Sequence, residues 1–191
     1  MNEVGWHRGG FNISYYANGI RKCSKSTKTY YTLTFSYEYE HDDDTVYFAY
    51  CYPYTYSNLL EELNEAEQHP ERSLFTYRRT LCYTLAGNRC DYLTITNRSE
   101  NAEQAKREKG VVITARVHPG ESVGSFMMRG VVGFLTDPKD REAQVLRDHF
   151  VFKVIPMLNP DGVINGNYRC SLAGCDLNRR WKNPSRGKRR A

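Results

Sequence analysis

The sequence VVITARVHPGES, residues 111–122, decides the fold class of this chain. Its first seven residues form a nearly continuous apolar run, which predicts a strand buried on both faces of a sheet, as in α/β proteins. A second apolar run, FVFKVIPML at 150–158, predicts another buried strand. Between them, apolar residues at helical spacing predict amphipathic helices over about 123–135 and about 140–149. We therefore expect an α/β domain.

The sequence before this domain has a different character. Tyrosine-rich alternation predicts a β-hairpin, with strands at 29–40 and 45–52 joined by an acidic turn at 41–44. The pattern changes near Tyr56, after which strands and helices alternate along the chain. We place a domain boundary there, giving an N-terminal domain at 1–56 and a second domain at 57–191.

The second domain is expected to begin with a helix. Ser57 is a suitable N-cap residue, and His69-Pro70 should end the helix because the residue before proline disfavours helical geometry. Strands are predicted at 79–86 and 91–97, and a polar loop or short helix at 99–110.

Composition limits the function classes. The 191 residues contain no apolar run of 18 or more and no apolar stretch at the N-terminus, so neither a membrane span nor a secretory signal is expected. Six cysteines without a CxxC pair indicate reduced thiols in a cytoplasmic protein. The net charge of +5 is local, because the segment from Arg179 onward holds seven Lys or Arg residues and no acid.

Chemically useful side chains follow the first apolar strand. His118 and Glu121 are three residues apart and can turn to the same side where the strand passes into a helix. Imidazole and carboxylate groups are common zinc ligands, and sites in open α/β sheets gather at the carboxyl ends of strands. The alternative is a surface His–Glu pair at the start of a helix.

A second polar cluster follows the other apolar strand. It consists of NPDG at 159–162, NYRC at 167–170 and DLNRRW at 176–181. An arginine fork can bind a carboxylate in two places, and a second arginine can stabilise a developing oxyanion. The alternatives are an ordinary turn at NPDG and a solvated basic loop around the arginines.

Taken in order, these motifs resemble the cytosolic carboxypeptidases, a branch of the carboxypeptidase A superfamily. The likeness extends upstream through YPYTYS, TLCYTLAGNRCDYLTIT and ARVHPGES. It implies a zinc-carboxypeptidase domain of α/β/α mixed-sheet type at 57–191, preceded at 1–56 by part of an antiparallel β-sandwich domain. It also implies hydrolysis of C-terminal or side-chain glutamates on acidic protein tails, such as those of tubulin.

The resemblance assigns roles to five residues of this chain. His118 and Glu121 match the first two ligands of a zinc ion (Zn²⁺), and Arg169 matches the arginine that polarises the scissile carbonyl. Asn178 and Arg179 match the pair that binds the terminal carboxylate. The implied reaction is hydrolysis by a zinc-activated water.

The resemblance also implies a third zinc-binding histidine and a glutamate base, both later in the chain. Neither occurs here at the matching position. We therefore expect a truncated carboxypeptidase domain that, purified as given, has little or no peptidase activity.

The expected partners are acidic protein C-terminal tails, tubulin among them, with a cytoplasmic, microtubule-associated location. Membranes and nucleic acids are not expected partners of such an enzyme. A second hypothesis is a non-catalytic protein whose arginine loop and basic C-terminus bind a polyanion, either a tubulin tail or a nucleic acid. A third is an amidohydrolase or deacylase on the same scaffold.

Overall fold

A computed structural model describes residues 5–25, 27–97 and 109–182. The chain forms two compact units, of which the first ends at Tyr52 and the second starts at Pro53. This division lies four residues before the boundary predicted near Tyr56. The polar loop predicted at 99–110 falls almost wholly outside the described residues.

The first unit contains a two-stranded antiparallel sheet. Strand β1, Phe11–Arg21, pairs with strand β2, Thr29–Ser36. The ring of Tyr15 stacks on that of Tyr31 on the neighbouring strand, with ring centroids 5.0 Å apart. The predicted hairpin between strands at 29–40 and 45–52 is wrong, because no strand forms at 45–52. Alternation marks a segment as a strand but does not select its partner, and the partner of β2 lies before it.

The second unit begins with helix α1, Tyr56–Gln68. Its N-cap is Thr55 and not Ser57, because Oγ1 of Thr55 accepts a hydrogen bond from the Asn58 amide at 3.1 Å. The Asn58 side chain bonds back to the Thr55 amide at 2.9 Å, which completes a capping box. The helix ends at Gln68 with His69 as its C-cap, directly before Pro70, as predicted.

Among the described residues, this unit contains a four-stranded mixed sheet. Its strands are β3 (Thr76–Tyr83), β4 (Arg89–Ile95), β5 (Lys109–Thr114) and β6 (Phe150–Ile155). They lie in the order β3-β4-β6-β5, with β5 parallel to β6 and the other pairs antiparallel. The α/β class and the mixed sheet are thus confirmed.

The strand predicted at 111–117 is not buried on both faces. Strand β5 is at the edge of the sheet formed by the described residues, with β6 on one side. Val112 is 67% exposed, so the face of β5 that carries it is not buried. Strand β6 lies between β4 and β5 and is buried more deeply, with Val154 fully buried.

Three further α-helices occur in the described part of this unit: α2 (Ser122–Leu135), α3 (Arg141–His149) and the short α4 (Pro160–Ile164). Helix α2 buries Ser125, Met128 and Leu135 but leaves Val123 and Met127 exposed, so only part of its predicted apolar face is buried. Among the described residues, none of the helices has the length and apolar character needed to cross a membrane. The buried core joins α1 and α2 to the sheet through Tyr54, Leu59, Leu63, Leu93, Ile95, Met128, Leu135, Phe152, Val154 and Met157.

Candidate functional site

The candidate site forms where the parallel strands β5 and β6 end. Their pairing continues one step further, because the Ala115 amide donates to the Ile155 carbonyl and the Leu158 amide donates to the Ala115 carbonyl, each at 3.0 Å. The two segments then separate into the loop at 118–121 and the turn at 159–162. Both polar segments therefore lie at the carboxyl ends of these strands, where sites in α/β sheets gather.

His118 is the centre of this site. Its side chain is almost completely buried, and each ring nitrogen faces a carboxylate oxygen. Nδ1 lies 3.1 Å from Oε1 of Glu121, and Nε2 lies 3.1 Å from Oδ1 of Asp176. The structure thus brings His118 and Glu121 together, with Glu121 on the exposed side of the pair.

Asp176 connects the histidine to the arginine cluster. Its Oδ2 accepts a hydrogen bond from Nε of Arg169 at 2.7 Å, and its Oδ1 also accepts from the Asn178 amide at 3.0 Å. Desolvation raises the pKa of Asp176, but the hydrogen bonds from Arg169 and His118 outweigh it, so the pKa lies below its ordinary value. The carboxylate therefore stays ionised at neutral pH.

The sequence did not single out Asp176. Its signal was present as the acid in DLNRRW, two residues before Asn178. What the sequence could not show is its contact with His118, which lies 58 residues earlier.

Asn178 and Arg179 lie on a one-turn 3₁₀ helix, Leu177–Arg179, directly after Asp176. Oδ1 of Asn178 accepts a hydrogen bond from Nε1 of Trp181 at 2.7 Å. Arg179 is exposed, with its guanidinium 3.4 Å from the Asn178 carbonyl. The structure therefore places Arg169 directly at the histidine–carboxylate group and Arg179 on the adjoining surface.

The loop at 118–121 is held from two sides. The Gly120 amide donates to the Tyr168 carbonyl at 2.7 Å, and Nδ2 of Asn159 donates to the Val117 carbonyl at 3.2 Å. Gly162 packs against the same loop so closely that an added Cβ would overlap Cγ of Pro119. The second polar cluster thus supports the first, which explains the need for glycine at position 162.

Arg116 shapes the start of this loop, and the sequence did not single it out either. Its backbone is left-handed, with φ of 52°, a conformation that is uncommon for residues other than glycine. The buried guanidinium donates from Nε to the Pro119 carbonyl at 2.8 Å and from Nη1 to Oγ of Ser125 at 2.7 Å. Arg116 therefore ties the loop to the start of helix α2.

Asp161 anchors the turn at 159–162 to the β3–β4 hairpin. Its carboxylate accepts hydrogen bonds from Thr84 Oγ1 at 2.5 Å, the Ala86 amide at 3.0 Å and Asn88 Nδ2 at 2.9 Å. Desolvation raises the pKa of Asp161, but these three donors outweigh it and hold the pKa below its ordinary value. Asp161 therefore has a structural role beside the site.

His118 and Glu121 fit a zinc ion as a pair of ligands. Two ligands placed about 2.0 Å from a tetrahedral zinc are about 3.3 Å apart, close to the 3.1 Å between Nδ1 and Oε1. The carboxylate on the other ring nitrogen is the usual outer partner of a metal-bound histidine. Within 5–25, 27–97 and 109–182, however, no group of three or more His, Cys, Asp or Glu residues could hold a metal.

Comparisons with known proteins show which family the chain resembles. The family model described as zinc carboxypeptidase matches residues 56–190. The chain is 52% identical over 183 residues to cytosolic carboxypeptidase 2 of Xenopus tropicalis. This alignment covers 95% of this chain and 18% of that relative. It is 50% identical over 180 residues to human cytosolic carboxypeptidase 2, covering 94% of this chain and 20% of that relative.

A solved structure supports the fold as well. A metallo-carboxypeptidase from Burkholderia cenocepacia superposes with a TM-score of 0.62 at 31% identity, covering 72% of this chain and 35% of that one. Of the cytosolic carboxypeptidases named above, the chain spans about a fifth of their length. The match of the family model over most of the second unit, together with these relatives, shows that the chain belongs to the zinc carboxypeptidase family.

Proposed function

We propose that this chain forms part of a zinc metallocarboxypeptidase that hydrolyses C-terminal or side-chain glutamates on acidic protein tails, such as those of tubulin. The observation that carries the proposal is His118, whose two ring nitrogens each lie 3.1 Å from a carboxylate oxygen. One carboxylate belongs to the candidate ligand Glu121 and the other to Asp176. This is the chemistry of a zinc-binding histidine with its orienting partner.

Each side chain has a definite task in this proposal. His118, through Nδ1, and Glu121 hold the metal, and when bound the zinc supplies the Lewis acidity for hydrolysis. Asp176 fixes the orientation of the imidazole from the other side. It also binds Nε of Arg169, which keeps that guanidinium beside the metal ligands for the scissile carbonyl.

The local charge supports an acidic substrate. Arg179, Arg180 and Lys182 follow Asp176 closely in the sequence and are all exposed. Asn178 and Arg179 are the residues proposed to bind the terminal carboxylate, since a guanidinium fork matches that group. The preference for glutamate tails, the tubulin partner and a cytoplasmic, microtubule-associated location all belong to this proposal.

The metal site is tested by zinc titration of the purified chain against a competing chelator. We expect His118→Ala to weaken zinc binding by about 100-fold or more, because it removes a first ligand and the link to Asp176. His149→Ala is the matched control, since that imidazole is exposed and bonds only to the backbone carbonyl of Val145 among the contacts described. Equal zinc affinity for His118→Ala and the control would overturn the metal assignment.

The substrate class is tested with two glutamate peptides that differ at one end. One has a free C-terminal carboxylate and the other a C-terminal amide. A carboxypeptidase site binds the free form more tightly, and Arg179→Met removes that difference because the carboxylate loses its fork. Equal, steeply salt-dependent binding of both peptides would instead favour the non-catalytic polyanion-binding hypothesis, which the exposed Arg179, Arg180 and Lys182 also support.

A further inference from the structure

Two cysteines lie directly opposite each other on the β3–β4 hairpin. Cys82 and Cys90 are paired in the register of the two strands, just after an irregularity between Thr80 and Cys82. Directly opposed residues in an antiparallel pair have Cα atoms about 4.5–5.5 Å apart. A disulfide needs Cα atoms about 4.4–6.8 Å apart. The backbone therefore already holds this pair at a disulfide-compatible separation.

The two thiols differ in exposure. Cys82 is exposed, whereas Cys90 is only 3% exposed. Sγ of Cys90 donates a hydrogen bond to the Met157 carbonyl at 3.5 Å. Burial, and after it the neighbouring Cys82, raise the pKa of the Cys90 thiol to about 12. Cys90 therefore stays protonated, and an oxidant meets Cys82 first.

We propose that Cys82 and Cys90 are a modification site that forms a reversible disulfide on exposure to a hydroperoxide. The Cys82 thiolate sulfur attacks one peroxide oxygen, the O–O bond breaks, and Cys82 becomes a sulfenic acid while the other oxygen leaves as water or alcohol. The Cys90 sulfur then attacks the Cys82 sulfur, loses its proton and displaces water. Two thiols are oxidised by two electrons in total, and the peroxide is reduced by two.

The position of the pair gives the disulfide a structural consequence. Cys82 and Cys90 flank the turn whose Thr84, Ala86 and Asn88 hold the Asp161 carboxylate. A cross-link at the base of this turn closes it covalently. Oxidation should therefore restrict the motion of the turn and of the segment at 159–162 that the turn holds. This proposal does not depend on the proposed peptidase function.

The experiment is disulfide mapping of the purified chain after treatment with one equivalent of hydrogen peroxide. Trypsin cleaves after Arg79, Arg89 and Arg98, so Cys82 and Cys90 fall on the adjacent peptides 80–89 and 90–98. After alkylation of free thiols, we expect these two peptides as one linked species that dithiothreitol separates. We also expect hydrogen exchange at the Ala86 and Asn88 amides to slow by about tenfold in the oxidised chain.

Two controls make the result decisive. Cys51→Ser replaces another exposed cysteine and should leave the linked species unchanged. Cys82→Ser, also at an exposed position, should abolish it. The same treatment in guanidinium should give mixed pairings, because the strands no longer align the two thiols. The proposal is overturned if the folded chain links Cys82 equally to other cysteines, if the yield is the same in guanidinium, or if both thiols remain free to alkylate.

Discussion

Asp176 shows how a single carboxylate organises the candidate site. It accepts hydrogen bonds from the His118 imidazole, the Arg169 guanidinium and the Asn178 amide, with distances between 2.7 and 3.1 Å. Because Asp176 fixes Nε2 of the ring, the other ring nitrogen, Nδ1, points at Glu121. The geometry of the proposed metal ligand is therefore set by a residue that is not itself a ligand.

Replacement of Asp176 by asparagine should weaken zinc binding by about 10–100-fold, because outer-shell partners of histidine ligands contribute on that scale. The amide keeps the shape of the side chain but loses the charge that favours the correct ring orientation. Competition titration with a zinc chelator measures the change. Asp42→Asn, at an exposed carboxylate in the first unit, is the matched control. An unchanged zinc affinity in Asp176→Asn would contradict the orienting role.

Asp161 makes stability depend on pH. Its pKa in the folded chain lies below the ordinary value of 3.8, so the unfolded state takes up a proton at higher pH than the folded state does. Its stabilising contribution is therefore complete well above pH 3.8 and is lost as the pH falls through the lower folded value. Protonation of this carboxylate removes the charge that strengthens its hydrogen bonds with Thr84, Ala86 and Asn88.

We expect Asp161→Asn to lower the free energy of unfolding by about 2 kcal/mol at pH 7, the scale of hydrogen bonds to a charged group. The difference from the unsubstituted chain should shrink on acidification below pH 3.8. Urea unfolding at several pH values measures both effects. A difference that stays constant down to pH 2 would show that the ionised carboxylate is not what stabilises the turn.

At the scale of elements, the site depends on close packing between two loops that follow neighbouring strands. An added Cβ at Gly162 would overlap the Pro119 ring and lie 2.7 Å from Oδ1 of Asn159. Oδ1 of Asn159 also accepts the hydrogen bond from the Gly162 amide that begins helix α4, at 3.1 Å. Any side chain at 162 must therefore displace both the turn and the loop that carries His118.

Gly162→Ala should lower the free energy of unfolding by about 1–3 kcal/mol, the usual cost of overpacking, and should also weaken zinc binding. Gly130→Ala is a matched control within helix α2, because an added Cβ there meets nothing within 4 Å. That control should stabilise the chain by up to about 1 kcal/mol through helix propensity. Equal effects of the two substitutions in urea unfolding would contradict the packing argument.

At the scale of the whole molecule, the sequence predicted what depends on local pattern. The apolar runs located β5 and β6, and their ends located His118 and Glu121, because periodicity and strand direction are local properties. The partner of β2 and the edge position of β5 were not predictable in this way, since alternation carries no information about neighbours. The contact between Asp176 and His118 was missed for the same reason, because it spans 58 residues.

The two compact units also differ in how they are built. The buried core cluster draws every member from the second unit, from Tyr54 to Met157. In the first unit the large apolar side chains of β1 and β2, such as Ile13 and Leu33, are more than half exposed. The burial of apolar surface that stabilises a fold is thus concentrated after Tyr52.

A chain that begins at Pro53 should therefore keep a cooperative unfolding transition, because it retains every residue of the core cluster. A chain that begins at His69 lacks helix α1 and with it Leu59 and Leu63, which are 6% and 3% exposed. Losing two such side chains costs about 2–5 kcal/mol each, enough to remove the transition from a domain of ordinary stability. Urea unfolding followed by circular dichroism at the helix band distinguishes the two truncations. Loss of the transition on removing only residues 1–52 would contradict a self-contained core, since none of the deleted residues belongs to it.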